Sequence, residues 1–165
     1  MSITFTPATE AALPTIVAIY NEAIPGRLAT ADLTPVTVAS KQAWFAQFDP
    51  VRRPIWLIQV AGVTAGWVSV EDFYGRPAYA HTAEISLYLS ATFQHQHLGQ
   101  AALDHVIAQL PRLGLDTLVA FVFHHNQPSQ HLFARNGFAQ WGHLPAVALM
   151  DEQRRDLDIL GRHFN

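Results

Sequence analysis

The sequence predicts one α/β domain, and three observations carry that prediction. Half of the 165 residues are apolar and only 14% are charged, so the chain is long enough and apolar enough to bury a single core. Along it, hydrophobic periodicity alternates between two residues and three to four, marking roughly seven strands and four helices. The stretch Glu84 to Leu110 joins both patterns: a strand, a polar loop from Ala91 to Gly99, and an amphipathic helix. That order places a carboxylate, Glu84, in mid-sheet. It also sets free backbone N–H groups of the loop at the positive end of a helix, a natural seat for phosphate.

Each element follows from local pattern. Ile3 and Phe5 alternate with polar neighbours in a first strand, and Leu13, Ile16, Val17 and Tyr20 follow Thr9 at helical spacing. Pro25-Gly26 ends that helix, and the polar run to Pro35 is a loop of the kind that lines sites. Thr37 is placed to cap a second helix that carries Trp44, Phe45 and Phe48 on one side and closes at Asp49-Pro50. Ile55 to Val60 and Thr64 to Val70 form two strands joined through Ala61-Gly62-Val63, a hairpin signal. A loop from Glu71 to Pro77, rich in aromatic residues, glycine and proline, leads to the strand Glu84 to Ser90. There Glu84, Ser86, Tyr88 and Ser90 share one face and Ile85, Leu87 and Leu89 the other. The next helix groups Leu103, Val106, Ile107 and Leu110, turns Asp104, His105 and Gln109 away, and stops at Pro111 and Gly114. Leu118 to Phe123 is apolar almost throughout, as a strand covered on both faces is, and His124-His125-Asn126 ends it. Pro128 suits the first turn of a short helix through Arg135, with Gly137 just past its end. Phe138 to His143 and Asp156 to Phe164 then close the sheet as an antiparallel pair about Asp151-Glu152.

Composition excludes several functions. A formal charge of −3 and a pI near 6.3 leave no electrostatic footprint for nucleic acid. Without cysteine there is no disulfide, zinc-thiolate site or thiol nucleophile. No basic segment precedes an apolar core at the N-terminus, and no run of about 18 apolar residues occurs, so the expectation is a cytoplasmic protein free of the membrane. Nine histidines include the pairs His95 with His97 and His124 with His125, but such pairs in loops lack a third ligand of definable geometry, so no metal is expected.

The segments Ile19-Tyr-Asn-Glu-Ala-Ile24, Ala29-Thr30, Trp44-Phe45, Gly66-Trp67, Arg76-Pro-Ala-Tyr79, Thr82-Ala-Glu84, Asn126-Gln-Pro-Ser129 and Gly137-Phe138 recur in order along the chain. Their sequence resembles the GNAT superfamily of acyl-CoA-dependent N-acyltransferases, and within it the phosphinothricin acetyltransferase branch. The resemblance runs across about the whole chain, and the combination is specific although each piece alone is weak. It implies one GNAT-like domain over residues 1–165, with a mixed, mostly antiparallel sheet of about seven strands flanked by about four helices.

The resemblance also implies acetyl-CoA as co-substrate, a small primary amine as acceptor, and a homodimer. The family pattern Gln/Arg-x-x-Gly-x-Gly falls on Gln94-His95-Gln96-His97-Leu98-Gly99, followed by Gln100, so His97 stands where the family has a glycine. A rival register, Gln96 to Ala101, also keeps Gly99. In the family the strand around Leu87, Tyr88 and Leu89 binds the pantetheine arm through its backbone, Asn126 contacts the same arm, and Ser129 lies close by. Glu84 matches the family's glutamate: an amine is mostly protonated near pH 7, and a carboxylate raised by apolar burial can take its proton. A paired structural carboxylate is the bland alternative for Glu84, as a helix cap is for Asn126. Phe73 and Tyr79 are either packing aromatics or walls of the acceptor pocket. At Phe133 the family carries a histidine or tyrosine able to protonate the departing thiolate, which phenylalanine cannot do. The second functional class is an acyl-CoA-binding module with little turnover.

Overall fold

The computed structural model describes residues 2–165. Its strands are β1 (Ile3–Pro7), β2 (Ile55–Val60), β3 (Val63–Asp72), β4 (Thr82–Leu89), β5 (Thr117–Phe123), β6 (Ala139–Met150) and β7 (Gln153–His163). The helices are α1 (Leu13–Ala23), α2 (Val38–Phe45), α3 (Leu98–Leu113) and α4 (Gln127–Arg135). One seven-stranded sheet runs in the order β1-β2-β3-β4-β5-β7-β6, and only β4 with β5 is parallel. The mixed, mostly antiparallel architecture is the expected one.

Turn chemistry sets the hairpins. Ala61 and Gly62 both take positive φ, 49° and 81°, so two residues suffice and β3 begins at Val63. Asp151 and Glu152 do the same at 49° and 66° with no glycine, and β6 and β7 outrun their expected ends. Pro145 hides this in the sequence; the ladder shifts register between Leu144 and Ala148 and resumes beyond. Thr37 caps α2 in a capping box with Ser40. Thr9 instead precedes a short 3-10 turn, Glu10–Ala12, and gives no side-chain cap.

Two details of α3 differ from expectation. The helix passes through Pro111 to Leu113, because a proline in the last turn forfeits one hydrogen bond and the stop belongs to Gly114 (φ 69°), after which the Leu115 N–H returns to the Leu110 carbonyl at 3.0 Å. His105 does not point away: it stacks on Phe5 at 4.2 Å and meets the edge of Trp56, so the helix buries a wider stripe than its aliphatic residues mark.

The sheet carries a core on each face. Val68, Val70, Ile85, Leu118, Leu103, Val106 and Phe133 pack between the sheet and helices α3 and α4. Ile16, Ile19, Ile55 and Trp67, with Trp44 and Tyr88 against them, form the second cluster under α1 and α2. What positions a site is the parallel join. β4 and β5 pair only at Thr82 with Thr117, Ala83 with Leu118 and Glu84 with Val119. Beyond Glu84 the strands part: β4 stays paired with β3 through Leu89, and β5 continues on β7 alone.

Candidate active site

Parting of the strands leaves the facing backbone edges of Ile85–Leu89 and of 120–123 without ladder partners, an open slot for an extended chain to enter as an added strand. The slot is a cavity of about 90 Å³ lined by Leu87, Tyr88, Asn126, Ser129 and Phe133, among others. Asn126, 6% exposed, closes its far end: its amide donates to the Leu28 carbonyl at 3.2 Å, and its oxygen accepts from the Ser129 N–H at 3.3 Å. Asn126 thus caps α4 and also lines the slot. His125 donates from Nε2 to the Arg27 carbonyl at 2.8 Å, and Arg27 pairs with Asp151 at 2.9 Å, so the loop between α1 and α2 is clamped over the slot.

The loop 94–97 leads into the N-terminus of α3. His97 is the N-cap of α3 in the left-handed region (φ 59°) and makes no side-chain cap, while His95 also has positive φ at 63°. The first intrahelical donor near this end is Ala101, bonded to the His97 carbonyl, so the N–H groups of Leu98, Gly99 and Gln100 have no partner in the helix. Gln94 and Gln96 flank His95 in the turn after a 3-10 segment, Ala91–Phe93. Leu98 is buried and anchors the turn in the core. A Cβ on Gly99 would lie 3.2 Å from Leu132, so the helix approaches α4 closely there. The side chain of Gln100 is spent on Asn136 and Asp104, which leaves only its backbone for a ligand.

Glu84, Ser86 and Tyr88 share one face of β4, as the alternation predicts, and that face borders three cavities at once. Besides the slot there is a space of about 390 Å³ walled by Thr30, Phe121, Phe123, Val147 and Leu157, and one of about 180 Å³ beneath α1 and α2. Burial lifts the Glu84 carboxyl to about 7, helped by the charge of Glu71 and a hydrogen bond shared with it. Burial, with the Asp32 hydrogen bond, pushes the Tyr20 phenol up to about 12; burial, then Tyr20 and Glu84, push Tyr88 up as well. Both phenols remain protonated donors near neutrality. Tyr20 bonds Thr30 and Asp32, and Tyr88 donates to the Ala29 carbonyl at 3.2 Å.

Not every expected residue meets here. The Leu89 side chain packs against the core around Leu98, and only its backbone edge faces the slot. In the β3–β4 connection the Phe73 ring lies 4.5 Å from that of Tyr74 and 5.5 Å from that of Tyr79, and neither Phe73 nor Tyr79 lines the three cavities beside Glu84. Phe121 is 38% exposed, against the expectation of a strand covered on both faces. Tyr20, Thr30, Lys41, Trp44 and Glu71 were not singled out as site residues. The last had a signal: it is the only other carboxylate besides Asp72 flanking the connection that leads to Glu84.

The histidine reasoning also needs correction on one point. A third donor does approach His124: Asp158, 1% exposed, accepts from His124 Nδ1 at 2.8 Å, His143 Nδ1 at 2.5 Å and Gln130 at 3.0 Å. All three polar partners are consumed in satisfying that buried carboxylate.

Comparison with known proteins places the fold in a family. Residues 16–138 match the model of the acetyltransferase (GNAT) family. The chain belongs to that family. It is 43% identical over 154 residues, 93% of its length, to a Bacillus subtilis protein named "Putative phosphinothricin acetyltransferase YwnH", of which it covers 94%. It is 33% identical over 148 residues (89% of this chain, 86% of the relative) to the L-methionine sulfoximine/L-methionine sulfone acetyltransferase of Pseudomonas paraeruginosa. A GNAT superfamily phosphinothricin acetyltransferase from Sinorhizobium meliloti, solved in complex with AcCoA, superposes with a TM-score of 0.92 at 25% identity, over 100% of this chain and 90% of that one. No helix among the described residues is long and apolar enough to cross a membrane.

Proposed function

We propose that this GNAT acetyltransferase moves the acetyl group of acetyl-CoA to the amino group of a small amino acid or a phosphinothricin-like analogue, by direct attack in a ternary complex. The observation that carries the reading is the slot beyond Glu84, with a raised carboxyl at its mouth and free helix N–H groups at its other end. In this reading the pantetheine arm adds to the unpaired edge of β4, and the pyrophosphate takes the N–H groups of Leu98, Gly99 and Gln100. The acceptor lies in the larger space beside Thr30 and Phe123. Its ammonium gives a proton to Glu84, the free amine attacks the thioester carbonyl, and backbone N–H groups near Leu87 and Tyr88 steady the oxyanion. The attacking nitrogen then gives up its second proton to water as the intermediate expels the CoA thiolate, which water protonates to the thiol. No covalent enzyme intermediate is needed.

Thiol release over a panel of amino acids, with methionine sulfone and phosphinothricin included, tests the reaction, and calorimetry with CoA tests its premise. Turnover of at least one panel member together with CoA binding is expected. Binding without turnover of any member would favour an acyl-CoA-binding module, a reading that His97 at the phosphate turn and Phe133 in the slot favour. A homodimer is part of the same proposal: edge strand β6 exposes Trp141, Leu144, Val147 and Leu149, and light scattering should return twice the chain mass.

A further inference from the structure

Glu71 lies on β3 directly opposite Glu84 in the β3–β4 ladder, and both line the 180 Å³ cavity beneath α1 and α2. Glu71 also lines a second cavity of about 240 Å³ on the far side, where exposed Gln47 and Asp72 bring it to the surface. Among the described residues it makes no salt bridge. Arg53, which lines that second cavity with it, spends its guanidinium on Asp72 at 2.7 Å and on the carbonyls of Arg52, Leu113 and Ala80. Trp44 donates to it from Nε1 at 3.3 Å. The negative charge of Glu71 across the ladder opposes ionisation of Glu84, and this pair is the route by which Glu71 acts on it.

We propose that Glu71 is a positioning residue of the acetyl transfer: it holds the Glu84 carboxyl towards the acceptor and passes its proton outward to the surface cavity. This rests on the reading of Glu84 as the base. The amine N–H bond breaks as the Glu84 O–H bond forms; that O–H bond then breaks as one forms on Glu71, which releases the proton to water. Each turnover leaves both carboxyls as it found them. The other ionisable groups facing the pair are Tyr20 from α1, Lys41 from α2 and Tyr88 on β4, with Arg53 and Asp72 at the outer side. Lys41 makes no ion pair among the described residues and sits 5.4 Å from the Tyr20 ring and 5.7 Å from that of Trp44.

Glu71→Gln keeps the shape and an oxygen for Trp44 but removes the charge. In the pH profile of kcat, the acidic limb near pH 7 should move down by roughly one pH unit, and the plateau should fall several-fold because the remaining base is weaker. Affinity for CoA should not change, and Glu71→Asp should restore part of the plateau. Carbon-13 NMR of labelled glutamate carboxyls reads the same shift of Glu84 without turnover. A limb and a carboxyl resonance that titrate at the same pH in wild type and Glu71→Gln overturn the proposal. If instead Glu84→Gln turns over like wild type, the base reading itself has failed, and the NMR titration alone decides for or against the Glu71 coupling.

Discussion

Exchange of Glu84 for glutamine should make the protein more stable and less active, and the gain should depend on pH in a calculable way. Burial and the facing Glu71 raise the carboxyl from 4.5 to about 7, and each unit is worth 1.36 kcal/mol, so ionising Glu84 in the folded state costs about 3 kcal/mol. A pKa raised on folding contributes stability that is complete below the unfolded value and lost as pH rises through the folded one. Relative to the variant, wild type is therefore undiminished near pH 4.5 and weakest above about pH 7.5. Glutamine carries no charge to desolvate and offers Glu71 an N–H. Scanning calorimetry of both proteins from pH 4.5 to 8.5 should show melting temperatures that coincide at the acid end. They should separate by roughly 6–12 °C at the basic end, for a chain of this size. Titrations not coupled to Glu84 are common to both proteins and cancel in the difference. A difference that is flat across that range would refute the argument, since it would mean that Glu84 ionises in the fold as it does in the unfolded chain.

Turnover of Glu84→Gln at neutral pH should fall at least ten-fold, with CoA affinity unchanged and a deficit that shrinks as pH rises and free amine accumulates, read from initial rates. His97→Gly relieves a side chain in the left-handed region at φ 59° and should raise stability by about 0.5–1 kcal/mol while tightening CoA in calorimetry; weaker binding would mark His97 as a phosphate ligand. Phe133→Tyr adds one hydroxyl to the slot wall beside Phe138 and should raise kcat with KM unchanged, and no gain would show that the thiolate departs unaided. Burial opposes ionisation of Asp158, but hydrogen bonds from His143, His124 and Gln130 hold its carboxyl below the usual range, so Asp158→Asn should cost about 2 kcal/mol in a denaturant melt at pH 7. That cost should persist down to about pH 3.8 and disappear only below it, as the wild-type carboxyl is protonated.

What was legible in the sequence is what local periodicity encodes, and what was missed is what pairing creates. The alternation along β4 put Glu84, Ser86 and Tyr88 on one face because it depends on nothing beyond the strand itself. The same rule failed for Phe121, since an apolar run looks alike whether both faces are covered or one opens on a cavity. Glu71 became a neighbour of Glu84 only through the ladder, whose register depends on how many residues the 73–81 connection spends in its turns. Asp158 gathered His124 and His143 from two other segments, a convergence with no local signature.

The position of Glu84 shows how these two kinds of information combine. Glu84 is the last residue of β4 paired with β5, so it stands where the ladder ends and the slot begins. Moved one residue earlier, to Ala83, the carboxyl would turn to the face packed under α3 and α4, where Ala83 has no exposure and lies among apolar side chains. One residue later, at Ile85, it would meet the same core, with Val70 across the ladder in place of Glu71. Only an even step keeps the correct face, and two residues on, at Ser86, the opposing residue is Ser69, so the facing carboxyl that raises Glu84 would be lost. Pleat, ladder end and cross-strand partner thus agree at a single position, and β4 carries its one ionisable carboxyl there.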